Sequence, residues 1–153
     1  MLLIDIFIIS ISNPLLIGVY KENNLLEEIK IEGKTSDVLP VIISEVLKKH
    51  ENISGLYFVN SPGSYMAIKV AYIFLKTLSI AKDIPLYASN GFNFNNNSPI
   101  KALGKKYFIK ENDTIKVDFL DNDTKIHDFK LPNSLNKELF SKNTLPIYNL
   151  PAV

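Results

Sequence analysis

Few side chains in this sequence could do chemistry, and their spacing narrows the choice. Asp5 stands at the end of a first apolar run, where a carboxylate could organise a divalent cation or a bound phosphate. The residues that follow, Ile6 to Ile9, are all bulky, and backbone cannot easily approach a phosphate past them. Asp5 therefore reads as a structural residue or the relic of a phosphate or metal site. Ser64 has the type of a nucleophile, but no base stands at a recognisable spacing from it. Its simpler role is N-cap of the helix that follows, accepting a backbone N–H. His50 and His127 are the only histidines and lie far apart in the chain, so no pair has helical metal-ligand spacing. His50 reads as a surface or capping residue. Lys69 and Lys76 lie seven residues apart, on nearly the same helical face. They suit either a solvated edge or contact with acidic groups at an interface rim. Lys105, Lys106 and Lys110 form a weak basic cluster that reads as solvated. No metal site and no catalytic residue is expected of this chain.

Composition excludes further classes. The 153 residues include no Cys, which removes disulfides, thiolate nucleophiles and Cys-ligated zinc and fits a reducing compartment. Net charge is +1, and all 17 basic residues are Lys, so the two-pronged guanidinium grip on phosphate and guanine is missing. Direct reading of nucleic acid is not expected. The apolar start of the chain is interrupted by Asp5, Asn13 and Pro14 with no Lys before it, which argues against a signal peptide or a membrane span. The expected location is cytoplasmic.

The elements that must position these residues can be read from the hydrophobic pattern. Runs at 2–11, 15–20 and 25–31 are separated by the turn signals Ser12-Asn13-Pro14 and Lys21-Glu22-Asn23-Asn24, which predicts antiparallel hairpins with the first run central. A helix follows, opened by Ser36 as N-cap with Pro40 in its first turn, and carrying an apolar stripe of Val38, Leu39, Ile42, Ile43, Val46 and Leu47. A buried strand at 56–60, the turn Ser61-Pro62-Gly63-Ser64, a second helix at 65–81 and a strand at 85–88 complete the series. In that turn Gly63 is expected to supply a backbone conformation that other residues dislike. Three antiparallel strands, then helix, strand, helix, strand, is the order of the ribonuclease-H-like core of the actin and sugar-kinase superfamily, an α/β fold. The division expected is a core over 1–94 and a reduced β-rich second lobe with a tail over 95–153. The Asn-rich stretch 90–98 reads as a loop. Strands are expected at 106–110, 114–120 and 125–131, with a hairpin turn at Asn122-Asp123 and one helical turn near Leu139.

The second helix is more apolar than a helix on one sheet face needs to be. Ala67, Ala71, Phe74 and Leu78 suffice for its core stripe, which leaves Ile68, Tyr72, Ile73, Leu75 and Ile80 to be covered by something else. Either the rest of the chain or another protein covers them.

A resemblance becomes specific at Asn60-Ser61-Pro62-Gly63-Ser64-Tyr65-Met66-Ala67-Ile68-Lys69-Val70, which is similar to the GPGSFTGLRIG segment of the TsaB (YeaZ) family. Ser36 to Pro40 resembles the "…LP" helix opening of that family, Ile84 to Ser89 its "IPLYGVSSL" strand, and Leu3-Ile4-Asp5 its "LAIDTS" start. The likeness covers about residues 1 to 94 and is clearest over 54–89. The departures are Ser61, Met66, Ala67 and Lys69 in place of Gly, Thr, Gly and Arg, and Ile6 in place of the Thr after the opening Asp.

The resemblance implies a degenerate member of the superfamily. It implies a non-catalytic partner of TsaD in making threonylcarbamoyladenosine at position 37 of transfer RNA, with the ATPase TsaE completing the assembly and transfer RNA contacted only indirectly. It also implies that the two helices pack against the matching helices of TsaD, through Ile42 and Val46 on the first and Tyr65, Ile68, Lys69, Tyr72, Ile73 and Lys76 on the second. No cofactor is expected on this chain alone; ATP or ADP and a metal belong to the partner complex. The rival readings are a homodimeric module using the same helices, or a small nucleotide-binding, kinase-like enzyme organised by Asp5.

Overall fold

The computed structural model describes residues 3–148. Five strands form one sheet in the order β3-β2-β1-β4-β5, where β1 is Ile4–Ile9, β2 Leu15–Lys21, β3 Asn24–Ile31, β4 Ile53–Ser61 and β5 Leu86–Asn90. β1 runs antiparallel to β2 and parallel to β4, and β4 runs parallel to β5. Helix α1 (Thr35–Lys49) links β3 to β4, and α2 (Tyr65–Lys82) links β4 to β5. This is the strand and helix order expected of the ribonuclease-H-like core, with the first run in the centre.

Local chemistry explains the connections. Glu22 and Asn23, between β2 and β3, both have positive φ, as a two-residue hairpin turn requires. Ser36 is not the cap of α1. The helix starts one residue before it, after Lys34, whose carbonyl accepts the N–H groups of Asp37 and Val38. Pro40 therefore lies in the second turn, and the bond lost at its nitrogen is one the helix would otherwise make. Ser64 caps α2 as expected, accepting from the Ala67 N–H. Asp83 ends that helix in the left-handed conformation.

Alternation along β1 divides the core. Ile4, Ile6 and Ile8 face α1 and α2, together with Leu39, Ile43, Val46, Ala71 and Leu75. Asp5, Phe7 and Ile9 point the other way. Phe7 and Ile9 there pack with Tyr57, Val59, Phe94, Leu131 and Leu135. Each large apolar side chain so buried contributes about 1.5–3 kcal/mol. The cover on this second face is residues 129–141, which carry no helix beyond the 3-10 turn Lys137–Leu139. They bridge Asn24 at Ser134 and Ala88 at Ser141.

A second sheet has three short strands, β6 (Ile100–Lys101), β7 (Tyr107–Glu111) and β8 (Thr114–Asp118), around Phe92, Ile100 and Phe108. The strand expected at 125–131 does not form. Asp121 to Thr124 make a turn, but the chain beyond it runs onto the first sheet instead of pairing with β8. The Asn-rich stretch packs a 3-10 turn, Gly91–Phe94, whose start Asn90 caps by accepting the Phe92 N–H at 2.7 Å. The Asn93 and Asn95 side chains donate to Ser89 Oγ and the Ser98 carbonyl, and Asn96 and Asn97 tolerate positive φ.

Candidate functional site

Two places carry the residues singled out above. The first is the outer face of α2. Ile68, Ala71 and Leu75 form its buried stripe, with Tyr72, Phe74 and Leu78 half-buried beside them. The expected stripe was thus rotated, and two residues expected at a partner surface are already spent. Val46, in the core between the helices and the sheet, and Ile68 are both buried and present nothing outward. Ile42 is half-buried, and Tyr72 stacks over Phe58 with ring centroids 6.4 Å apart.

What faces outward is Tyr65, Lys69, Ile73 and Lys76, as expected, joined by Met66 and Ile80. Met66, Ile73 and Ile80 recur every seven residues and are 62%, 53% and 72% exposed. Lys69 and Lys76 stand three residues after the first two, so apolar and basic groups alternate along one line. The helix contains no Asp or Glu. At its N-terminal end Tyr148 packs on Tyr65 at 4.4 Å between centroids, and the Lys69 ammonium lies 5.7 Å from the Tyr65 ring centre. Tyr148 and its exposed neighbour Ile147 extend the patch. No signal in the sequence marked these two. The chain reaches them through long-range bonds, Asn60 Nδ2 to the Leu145 carbonyl at 2.9 Å and the Ile147 N–H to the Asn60 carbonyl at 3.2 Å.

The turn before α2 is close-packed. Ser61 and Pro62 are buried, and Ser61 donates to the Asn60 side chain. Gly63 does not adopt positive φ, contrary to expectation. A Cβ there would lie 2.5 Å from Ile11 Cγ2, so the glycine is required by close approach and not by conformation. His50 is the C-cap of α1, as expected, donating its N–H to the Val46 carbonyl. Its Nε2 stands 3.9 Å from Glu27. His127 is exposed on the far side loop, its N–H held by Ser98.

The second place surrounds Asp5. The apolar run continues as paired strand to Ile9, so Asp5 is the second residue of β1 and not its end. The residue beyond the end of β1, beside the Pro-Gly-Ser turn, is Ser10, which donates to the Ala67 carbonyl at 3.3 Å. The Asp5 carboxylate therefore does not stand at the end of β1 beside the Pro-Gly-Ser turn.

Register instead sets Asp5 between Tyr20 and Gly55, next to a row formed by Phe7, Tyr57 and Tyr87. Asp5 is 1% exposed. Lys137 Nζ stands 3.2 Å from Oδ2 as an ion-pair partner, yet neither carboxylate oxygen has a well-aligned hydrogen bond. Burial pushes the carboxyl above its ordinary value, Lys137 pulls against that, and Glu22 adds to the rise. The Tyr57 phenol is also pushed up, by burial first and by Asp5 second. Among the described residues, no group of three or more His, Cys, Asp or Glu could hold a metal ion, so the site does not fit one.

No protein-family model matches the sequence, and no curated protein is similar to it. Solved structures are similar in fold. YeaZ from Pseudomonas aeruginosa superposes with a TM-score of 0.58 at 10% identity, over 82% of this chain and 67% of that one. A protein described as uncharacterized, with similarity to peptidase YeaZ from Pseudomonas aeruginosa, gives 0.55 at 11% identity, over 75% of this chain and 63% of that one. The chain thus spans about two thirds of the length of these structures. It has the α/β fold of YeaZ, the family its Pro-Gly-Ser segment resembles.

Proposed function

We propose that the chain is a non-catalytic scaffold subunit that binds a TsaD-like protein through the outer face of α2. In this role it supports threonylcarbamoyl transfer to transfer RNA in the cytoplasm, with a TsaE-like ATPase as a further member and transfer RNA touched only through the partner. Nucleotide and metal would be held by the partner complex and not by this chain alone. The observation that carries the reading is the seven-residue row Met66, Ile73, Ile80, interleaved with Lys69 and Lys76 on a helix without acids. Such a row fits a partner helix with apolar residues in register and carboxylates opposite the lysines. A second copy of this chain fits less well, because it would bring lysine against lysine.

The test is co-expression with the TsaD of the same organism, followed by size-exclusion chromatography with light scattering. A one-to-one complex is expected. Separate peaks, with this chain alone as a dimer, would transfer the face to self-association and overturn the reading.

A further inference from the structure

The cavity beside Asp5 lies on the sheet face away from α1 and α2, and its use is independent of any partner on those helices. It measures about 380 Å3 and is lined by Asp5, Tyr57, Tyr87, Phe140, Lys137 and Lys142, among others. We propose that it binds a small organic zwitterion, with a primary ammonium group at the Asp5 floor and a carboxylate or phosphate at the lysine rim.

The floor is a buried carboxylate whose hydrogen bonding is incomplete. Asp5 is buried, and leaving its carboxylate oxygens without well-aligned donors is costly in a fold that could place an apolar residue there. Lys137 stands near Oδ2 as a counter-charge and leaves Oδ1 open. Gly55 keeps the space open: a Cβ at that position would lie 3.0 Å from Asp5 Oδ1 and 3.2 Å from Tyr57 Oη. A carboxylate oxygen and a phenol oxygen therefore converge on one small volume, which suits a group with several N–H donors. The walls are aromatic. Tyr57 and Tyr87 stack at 5.0 Å, and Phe140 meets Tyr57 edge-on at 4.9 Å. Such walls favour a cation and the methylenes attached to it. At the rim Lys142 is exposed and would take the anionic end, while Lys137 stays on Asp5 Oδ2. A free anion such as a nucleotide phosphate is repelled from the floor by Asp5. A metal ion would find too few carboxylates. The volume suits a molecule of amino-acid size.

The test uses the full chain with 13C-labelled tyrosine rings, assigned through Tyr57→Phe and Tyr87→Phe. It is titrated with glycine, β-alanine, 4-aminobutyrate and O-phosphoethanolamine, with n-butylamine and butyrate as half-probes. Saturable shifts at Tyr57 and Tyr87 are expected with at least one zwitterion, with n-butylamine about tenfold weaker and butyrate silent. Preference for O-phosphoethanolamine over the carboxylates would identify phosphate as the anionic end. Asp5→Asn should abolish the shifts while the rest of the spectrum stays native. Lys142→Gln, on the surface, should reduce zwitterion binding to the level of n-butylamine and so tests the rim should Asp5→Asn not fold. No saturable shift with any zwitterion, or binding of butyrate alone, would overturn the proposal. So would shifts that persist unchanged in Asp5→Asn.

Discussion

At Asp5 the sheet holds a buried carboxylate whose surroundings disfavour its charged form. Burial raises its pKa, so the folded state holds the proton more tightly than the unfolded chain does. For an acid shifted in this direction, the favourable contribution is complete below the unfolded value and is lost as pH rises through the folded value. Lys137 offsets that loss by standing 3.2 Å away. Lys137→Met removes the offset and leaves a buried charge facing Glu22 and the Tyr57 phenol. The expected cost near neutral pH is about 1–3 kcal/mol, at the low end for a buried pair because the lysine itself is partly exposed. At low pH, once Asp5 has taken up its proton, the cost should shrink toward zero. Urea unfolding at the two pH values measures it, and an equal loss at both would mean that the ion pair does not form.

At the level of elements, α2 divides its residues between two surfaces. Ile68, Ala71 and Leu75 belong to the core, and Met66, Ile73 and Ile80 face outward. Ile73→Glu with Ile80→Glu should therefore leave thermal unfolding within about 0.5 kcal/mol of wild type, since neither side chain is buried. The same pair should abolish co-purification with TsaD. Loss of stability instead of partner binding would show that these positions serve the fold. The helix itself was legible in the sequence from its apolar density and from Ser64, but its rotation was not. Phe74 and Leu78 have the right spacing for a core stripe, and only the sheet's position decides that Leu75 goes under and Phe74 to the side. The position of Asp5 within its strand is hidden for a similar reason. The signal at Ser12 to Pro14 marks the turn, yet the number of paired residues before it depends on how far β2 runs back along β1. The Asp5 site was legible only as a lone acid, because its neighbours Tyr57, Tyr87 and Lys137 come from three distant segments joined by register and by the returning chain.

At the scale of the whole molecule, the sheet is covered by helices on one face and by an irregular strap on the other. Tyr20 Oη donates to the Pro132 carbonyl at 2.7 Å, the Leu25 and Leu135 N–H groups bond the Asn133 and Asn23 carbonyls, and Ala88 exchanges two bonds with Ser141. The strap thus crosses from the β2–β3 hairpin to β5, and then passes Asn60 toward the N-terminus of α2. Along the way it supplies Leu131, Leu135 and Phe140 to the core and Lys137 to Asp5. If the two faces fold as one unit, damage to the strap must be felt by the helices across the sheet. Leu131→Ala deletes a side chain that is 2% exposed and packs with Phe7, Tyr20 and Phe94. It is expected to cost about 2–5 kcal/mol. Far-ultraviolet circular dichroism, dominated by α1 and α2, and near-ultraviolet tyrosine signals, which include the strap-side Tyr20 and Tyr57, should lose stability by the same amount and keep coincident midpoints. A helical transition that stays at the wild-type midpoint while the tyrosine signal moves would mean that the strap is a separable cover. In that case the Asp5 cavity could open without unfolding the face that carries Met66, Ile73 and Ile80.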